Sequence, residues 1–173
     1  MLSEMAKENK SVIIALTESH LRPAILDAEI QIEGFQLFRA DRLEGTKKGG
    51  VIIYVINELA SDAVVIASGS NGIVEWLALY FRRKNMVFIT VYRPPTCPSA
   101  AFTSVLDEIA TKIEEIGPPM PTVIMNGDFN LPRMNWEDET VGNGGSLIKQ
   151  QHSLRLLEMT NNFTCDQCVN FPT

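Results

Sequence analysis

Thr122-Val123-Ile124-Met125-Asn126-Gly127-Asp128-Phe129-Asn130 is a β-branched, apolar run that breaks at a glycine and then presents a carboxylate and an amide. The run from Thr122 to Asn126 predicts a strand. Strand alternation places Asp128 and Asn130 on one side and turns Phe129 the opposite way, into apolar packing. Side by side at a strand end, such a pair can hold a water and a phosphate oxygen: Asp128 orients or deprotonates, and Asn130 donates without charge. The competing reading is an Asx-type turn, which Gly, Asp and Asn favour for local hydrogen-bonding reasons.

Outward from this segment, Val12 to Leu16, Val51 to Ile56, Ala63 to Ala67, Trp76 to Phe81 and Met86 to Tyr92 are also strand-like. In the last of these, Val87, Ile89 and Val91 share one face, while Phe88, Thr90 and Tyr92 share the other. Both faces are substantially apolar, which suits a sheet covered on both sides. One helix is expected from about Ser99 to Ile116, with Phe102, Val105, Leu106, Ile109 and Ile113 at helical spacing and Gly117-Pro118-Pro119 as its stop. A second is expected from Ser146 to about Thr160, with Ser146 as cap and Leu147, Leu154 and Leu157 on one face; Met1 to Asn9 reads as the tail of another. Strands with helices outside them, and hairpin-like links such as Lys48-Gly49-Gly50, point to a layered α/β architecture with mixed or antiparallel sheets.

The 173 residues fit one domain, 1–173, with no compositional break. Hydrophobic residues make up 45% and charged residues 21%, which excludes a disordered or fibrous chain. The net charge of −6 does not announce a nucleic-acid binder. The basic run Arg82-Arg83-Lys84 is the place to look for a local contact, against the ordinary reading of a solvated turn between strands. No apolar run has membrane-spanning length and the start lacks a secretory pattern, so an intracellular protein with no membrane association is expected. Cys97, Cys165 and Cys168 form neither a disulfide framework nor a zinc site.

Two other strand ends carry chemistry. The strand Val12 to Leu16 runs into Thr17-Glu18-Ser19-His20, which puts Glu18 at its mouth. A carboxylate there suits a hard cation such as Mg²⁺, although Thr17 capping a helix start is the alternative. His20 can touch substrate, or be an ordinary loop histidine. The strand ending at Tyr92-Arg93-Pro94-Pro95 offers a phenol and a guanidinium suited to phosphate oxygens, before two prolines force the chain out of the sheet.

In order, Thr17-Glu18-Ser19-His20-Leu21, then Arg39-Ala40-Asp41-Arg42 with Gly49-Gly50-Val51, then Tyr92-Arg93-Pro94-Pro95, then Gly127-Asp128-Phe129-Asn130 resembles the endonuclease domain of non-LTR retrotransposons, a branch of the endonuclease/exonuclease/phosphatase superfamily. The resemblance extends through Leu131-Pro132, Trp136 and the Ser146 to Thr160 helix to the tail, so it covers nearly the whole chain. It implies a deoxyribonuclease I-like sandwich of two mixed β-sheets with helices outside, and hydrolysis of DNA phosphodiesters with Mg²⁺ or Mn²⁺. It implies further that Glu18 binds the metal, that Tyr92, Asp128 and Asn130 are catalytic, and that Arg93 and His20 contact substrate. A parent polyprotein with a reverse transcriptase domain, acting in the nucleus, is part of the same expectation.

The family pattern also includes a first-strand asparagine and a late Ser-Asp-His motif, and neither is present in this sequence. The chain is therefore expected to be a partial domain, open at both ends, with exposed sheet edges and marginal stability. Weak or absent activity follows from the missing base. Of the histidines, His20 lies beside Glu18, and His152 is expected on a helix surface. The alternatives are a catalytically dead remnant that at most binds nucleic acid or acts as a scaffold, and a phosphatase or phosphodiesterase of the same superfamily; Tyr92-Arg93-Pro94-Pro95 argues against the latter.

Overall fold

Val51–Ile56 is apolar at every position, and the fold uses both of its faces. In the computed structural model, which describes residues 4, 10–42, 49–136, 138, 140–142 and 150–168, this segment is β3. It lies between β1 (Ile13–Thr17) and β2 (Phe35–Ala40) and is antiparallel to both. The second sheet has the order β4 (Ala63–Ser70), β5 (Glu75–Phe81), β6 (Met86–Tyr92), β7 (Thr122–Asp128). Its first two pairings are antiparallel and β6 runs parallel to β7. A parallel pair needs a crossover, and α3 (Ser99–Glu114) supplies it. The short helices α1 (Asp27–Ile30) and α2 (Asn57–Ala60), the two-residue strands β8 (Met134–Asn135) and β9 (Thr140–Val141), and α4 (Gln151–Asn162) complete the order.

The two sheets face each other. Val51, Ile53 and Val55 from one and Leu77, Leu79, Phe81 and Tyr92 from the other form a single buried cluster. On the far side of the second sheet, Val87, Ile89 and Val91 meet α3 and α4. Phe102, Leu106, Ile109 and Ile113 of α3 are fully buried there, each worth roughly 1.5–3 kcal/mol of transfer free energy, enough to fix the crossover helix on the sheet. On the outer side of β3, Ile52 and Tyr54 pack with Ile32, Phe35 and Leu37, and the Tyr54 hydroxyl donates to the Ile30 carbonyl at 2.7 Å. The result is a sandwich of two β-sheets with helices outside, the expected class; among the described residues the first sheet is wholly antiparallel and the second is mixed.

Several sequence expectations change in detail. The strand β2 was not anticipated, because Gln36 and Arg39 interrupt its apolar pattern and only pairing with β3 makes it a strand. In α4 the packed residues are Leu156, Leu157 and Met159, and Leu154, expected on the buried face, is 48% exposed. The Ser146 cap and most of the helix expected over Met1 to Asn9 lie outside the described residues. The run Arg82-Arg83-Lys84 is the turn between β5 and β6, where Arg83 pairs with Asp62. That turn is at the opposite end of the sheet from Tyr92 and Asp128.

Candidate active site

The end of β1 and the ends of β6 and β7 lie at one edge of the sandwich. After Thr17, Glu18 takes a left-handed φ of 53°, so the chain turns at once and Thr17 caps no helix. The turn is pinned by Ser19 N–H to the Gly50 carbonyl at 3.2 Å and His20 N–H to the Gly49 carbonyl at 2.9 Å. Glycine is required at both positions. A Cβ on Gly49, whose φ is 117°, would lie 2.7 Å from Glu75 Oε2, and one on Gly50 would lie 2.5 Å from Ser19 Oγ. His20 is itself left-handed and exposed, beside Glu18.

Tyr92 and Asp128 are register partners at the ends of the parallel strands β6 and β7. The Tyr92 ring is buried, and its hydroxyl donates to Glu18 Oε1 at 2.5 Å. Burial, the bond to Glu18 and the negative charges of Glu18 and Asp128 push the phenol far above its ordinary range. Tyr92 therefore keeps its proton and acts as a donor, never as a base.

Two further groups stand at this edge: Glu75, which sequence reasoning missed, and Arg42, quoted there only within a motif and given no role. Glu75, at the start of β5, is fully buried, accepts from Ser70 Oγ at 3.1 Å and pairs with Arg42, whose Nε is 3.4 Å from Glu75 Oε1. Burial pushes the Glu75 carboxyl up while Arg42 and Ser70 pull it back. The Arg42 charge also acts on Tyr92 in the opposite sense to the carboxylates, so the pair belongs to the same electrostatic unit. A signal was available: Ile73-Val74-Glu75-Trp76-Leu77 holds one acid within an apolar run, and a buried charge is retained only with a partner.

The Gly127 to Asn130 segment departs from simple alternation. The strand ends at Asp128, Asn130 has a φ of 47°, and Asp128 Oδ1 accepts the Asn130 N–H at 3.2 Å. This is the Asx-type turn, so site and turn are the same object, and the expectation that Asp128 and Asn130 share a strand face is corrected. Phe129 does enter apolar packing, tilted against Phe102 and Trp136 at ring-centroid distances of 6.4 and 6.3 Å. Gly127 has a φ of 145°, and a Cβ there would sit 1.9 Å from the Val91 carbonyl oxygen. Only glycine lets β7 come this close to β6 just before Asp128.

Arg93 and Asn130 lock these strand exits together. The Asn130 amide donates to the Arg93 carbonyl at 2.8 Å, and the Arg93 guanidinium donates to the carbonyls of Phe129, Asn130 and Cys97 at 3.0–3.2 Å. Arg93 is 3% exposed, and burial lowers its affinity for its proton. As placed, both side chains brace main chain, while Glu18, Tyr92 and Asp128 converge.

A hard divalent cation takes carboxylate and water oxygens and keeps much of its hydration shell. The Glu18 carboxylate, held by Tyr92 with Asp128 at the same edge, fits such an ion as a sparse donor set. Among the described residues no three acidic, cysteine or histidine side chains gather into a fuller cage. Nor, among the described residues, is any helix long and apolar enough to cross a membrane.

Comparison with known proteins adds the following. A family model described as endonuclease-reverse transcriptase matches residues 86–173, half of the chain. No curated protein sequence matches. Among solved structures, the endonuclease domain of TRAS1, a telomere-specific non-LTR retrotransposon, is similar over 91% of this chain and 63% of its own, with a TM-score of 0.57 at 18% identity. The AP endonuclease LMAP from Leishmania major is similar over 94% of this chain and 60% of its own, with a TM-score of 0.58 at 11% identity. At these identities the likeness shows the fold, and the chain spans under two thirds of either structure.

Proposed function

We propose that this chain, which belongs to the endonuclease-reverse transcriptase family, carries a metal-dependent phosphodiesterase site that nicks DNA. The observation that supports it most is the bond from Tyr92 to Glu18 at the strand edge where Asp128 also ends. That bond fixes one carboxylate with a donor that cannot ionise, and leaves a second carboxylate beside it. In this reading Glu18 holds Mg²⁺ or Mn²⁺, which when bound supplies charge stabilisation at the phosphate. Asp128, without the histidine base of the family pattern, orients a water and takes its proton as the water oxygen bonds to phosphorus and the P–O3′ bond breaks, the leaving 3′-oxygen taking a proton from solvent; weak nicking is expected. Tyr92 holds Glu18 in place with its single O–H. Asn130 and Arg93 position Asp128, and His20 touches substrate from the open side. A nuclear role beside a reverse transcriptase domain in a longer polyprotein is part of the same proposal.

Plasmid nicking with and without Mg²⁺ tests it, with Glu18→Ala and Asp128→Ala as controls. Metal-dependent nicking lost in both variants is expected. Nicking that persists unchanged in both would overturn the assignment, and salt-dependent DNA binding with no nicking would select a binding domain instead.

A further inference from the structure

Glu75, Tyr92 and Asp128 stand in one row across the second sheet. Glu75 is the register partner of Tyr92 in the antiparallel pair β5 and β6, and Tyr92 is the register partner of Asp128 in the parallel pair β6 and β7. Register partners project from the same face of a sheet, so all three side chains point toward the first sheet, where Glu18 follows β1. Glu75 is the most deeply buried of the three.

Two routes lead from Glu75 to Glu18. One runs through its neighbour Tyr92, whose hydroxyl donates to Glu18 Oε1. The other runs through Gly49, whose backbone lies so close to the Glu75 and Arg42 pair that a Cβ there would meet Glu75 Oε2 and Arg42 Cδ at 2.7 Å. On its other side the Gly49 carbonyl accepts the His20 N–H, and the Gly50 carbonyl accepts the Ser19 N–H, the two bonds that pin the turn after Glu18. Both supports of Glu18 thus rest on the pair, which the Ser70 hydroxyl steadies from the side.

Stability alone does not call for such a pair. Desolvating two charges costs about as much as their attraction returns, and apolar side chains of the same volume serve a core as well. What apolar side chains lack is charge. The positive charge of Arg42 reaches Tyr92, and so reaches the edge where a divalent cation would be held. Like charges repel, and a carboxylate fixed against Arg42 offsets that repulsion.

We propose that Glu75 is a positioning residue for Glu18: paired with Arg42, it seats Tyr92 and the Gly49-Gly50 backbone beneath Glu18 and offsets the Arg42 charge against an incoming divalent cation. It touches neither metal nor substrate. The proposal rests on the reading of Glu18 as the metal ligand, and its test separates the two.

The probe is Mn²⁺ alone, titrated into the full chain without DNA and followed by the electron paramagnetic resonance of the free ion. Glu75→Gln keeps the shape of the side chain and removes its charge, and it is expected to raise the Mn²⁺ dissociation constant several-fold. Tyr92→Phe is expected to raise it as well. The double variant should fall short of the product of the two effects, because Glu75 acts in part through the bond from Tyr92 to Glu18. Ile113→Val, under α3 on the far face of the second sheet, is expected to lower the melting temperature and leave Mn²⁺ binding unchanged, as a merely structural Glu75 would. Should Glu75→Gln not fold, Ser70→Ala removes the hydroxyl bonded to Glu75 and gives the same rise in weaker form. Wild-type affinity in folded Glu75→Gln, or in Ser70→Ala where Glu75→Gln unfolds, would overturn the proposal, as would effects that multiply independently in the double variant. If the wild type binds no Mn²⁺, the reading of Glu18 as a metal ligand falls and this proposal falls with it. If the wild type binds Mn²⁺ and nicks DNA while Glu75→Gln binds equally well, only the role of Glu75 falls.

Discussion

Tyr92 and Glu18, 74 positions apart in the chain, are joined by a 2.5 Å hydrogen bond in which the phenol donates to the carboxylate. The bond ties the end of β6 to the turn after β1, and so ties one sheet of the sandwich to the other at the edge where Asp128 ends. Its direction is fixed by electrostatics. With two carboxylates nearby and its ring buried, Tyr92 cannot give up its proton. Glu18 is thereby oriented as an acceptor, with its second oxygen left for other partners.

Removing that hydroxyl tests the arrangement without disturbing the core. Tyr92→Phe is expected to keep the fold and to lower Mg²⁺-dependent nicking about 10- to 100-fold, the usual effect of losing the group that orients a ligand. A nicking rate measured across a Mg²⁺ titration should show a raised metal requirement. Unchanged metal dependence would mean that Glu18 needs no such support.

Gly127→Ala should be severely destabilising. Its Cβ would land 1.9 Å from the Val91 carbonyl oxygen at a φ that side chains rarely adopt. Strain and forced separation of β6 from β7 together cost about 3 kcal/mol or more. Urea denaturation measures this, and a midpoint within error of wild type would contradict the strand pairing described.

Glu75→Ala removes the partner of Arg42 and leaves that guanidinium half-committed at the edge of the core. Breaking a buried pair is expensive, but Arg42 keeps some solvent contact, so a loss of about 2 kcal/mol is expected. A thermal melt reads it. Nicking by the folded fraction should fall as well, because the Arg42 charge acts on Tyr92.

His152 is half-buried, bonded to Ser99, and held below the ordinary histidine value by burial and by the nearby Arg93 charge. The expectation of a surface histidine is thus corrected. In the unfolded chain the ring binds a proton more readily than in the folded one. The sign follows: its contribution is intact above the ordinary histidine pKa and is lost as pH falls from there toward the lower folded value. Melting temperature should drop over that acidic window, and His152→Gln should flatten that part of the profile.

The Gly127 to Asn130 segment shows how far sequence reading reaches. Its strand, its glycine and its carboxylate were all legible, because β-branched alternation and the special backbone needs of glycine are local properties. The same holds for the α3 stripe, where all five apolar residues named from spacing are buried. Asn130 was misplaced because alternation was carried one turn too far, past the point where Asp128 captures the Asn130 N–H. Arg93 was read from its charge as a phosphate contact, and its bonds to the carbonyls of Phe129 and Asn130 were not legible from that charge.

What the sequence by itself determined is the long elements other than β2 and the order of the strand-end motifs, since both follow from periodicity and from residue chemistry within a few positions. Only the tertiary structure decided which of those ends meet. Glu18, Arg42, Glu75, Tyr92 and Asp128 come from five separate segments, and they share one edge because two sheets close on the cluster of Val51, Ile53, Leu77 and Leu79. That closure is driven by non-directional burial, which leaves no local mark on the sequence to say which charged ends it will bring together.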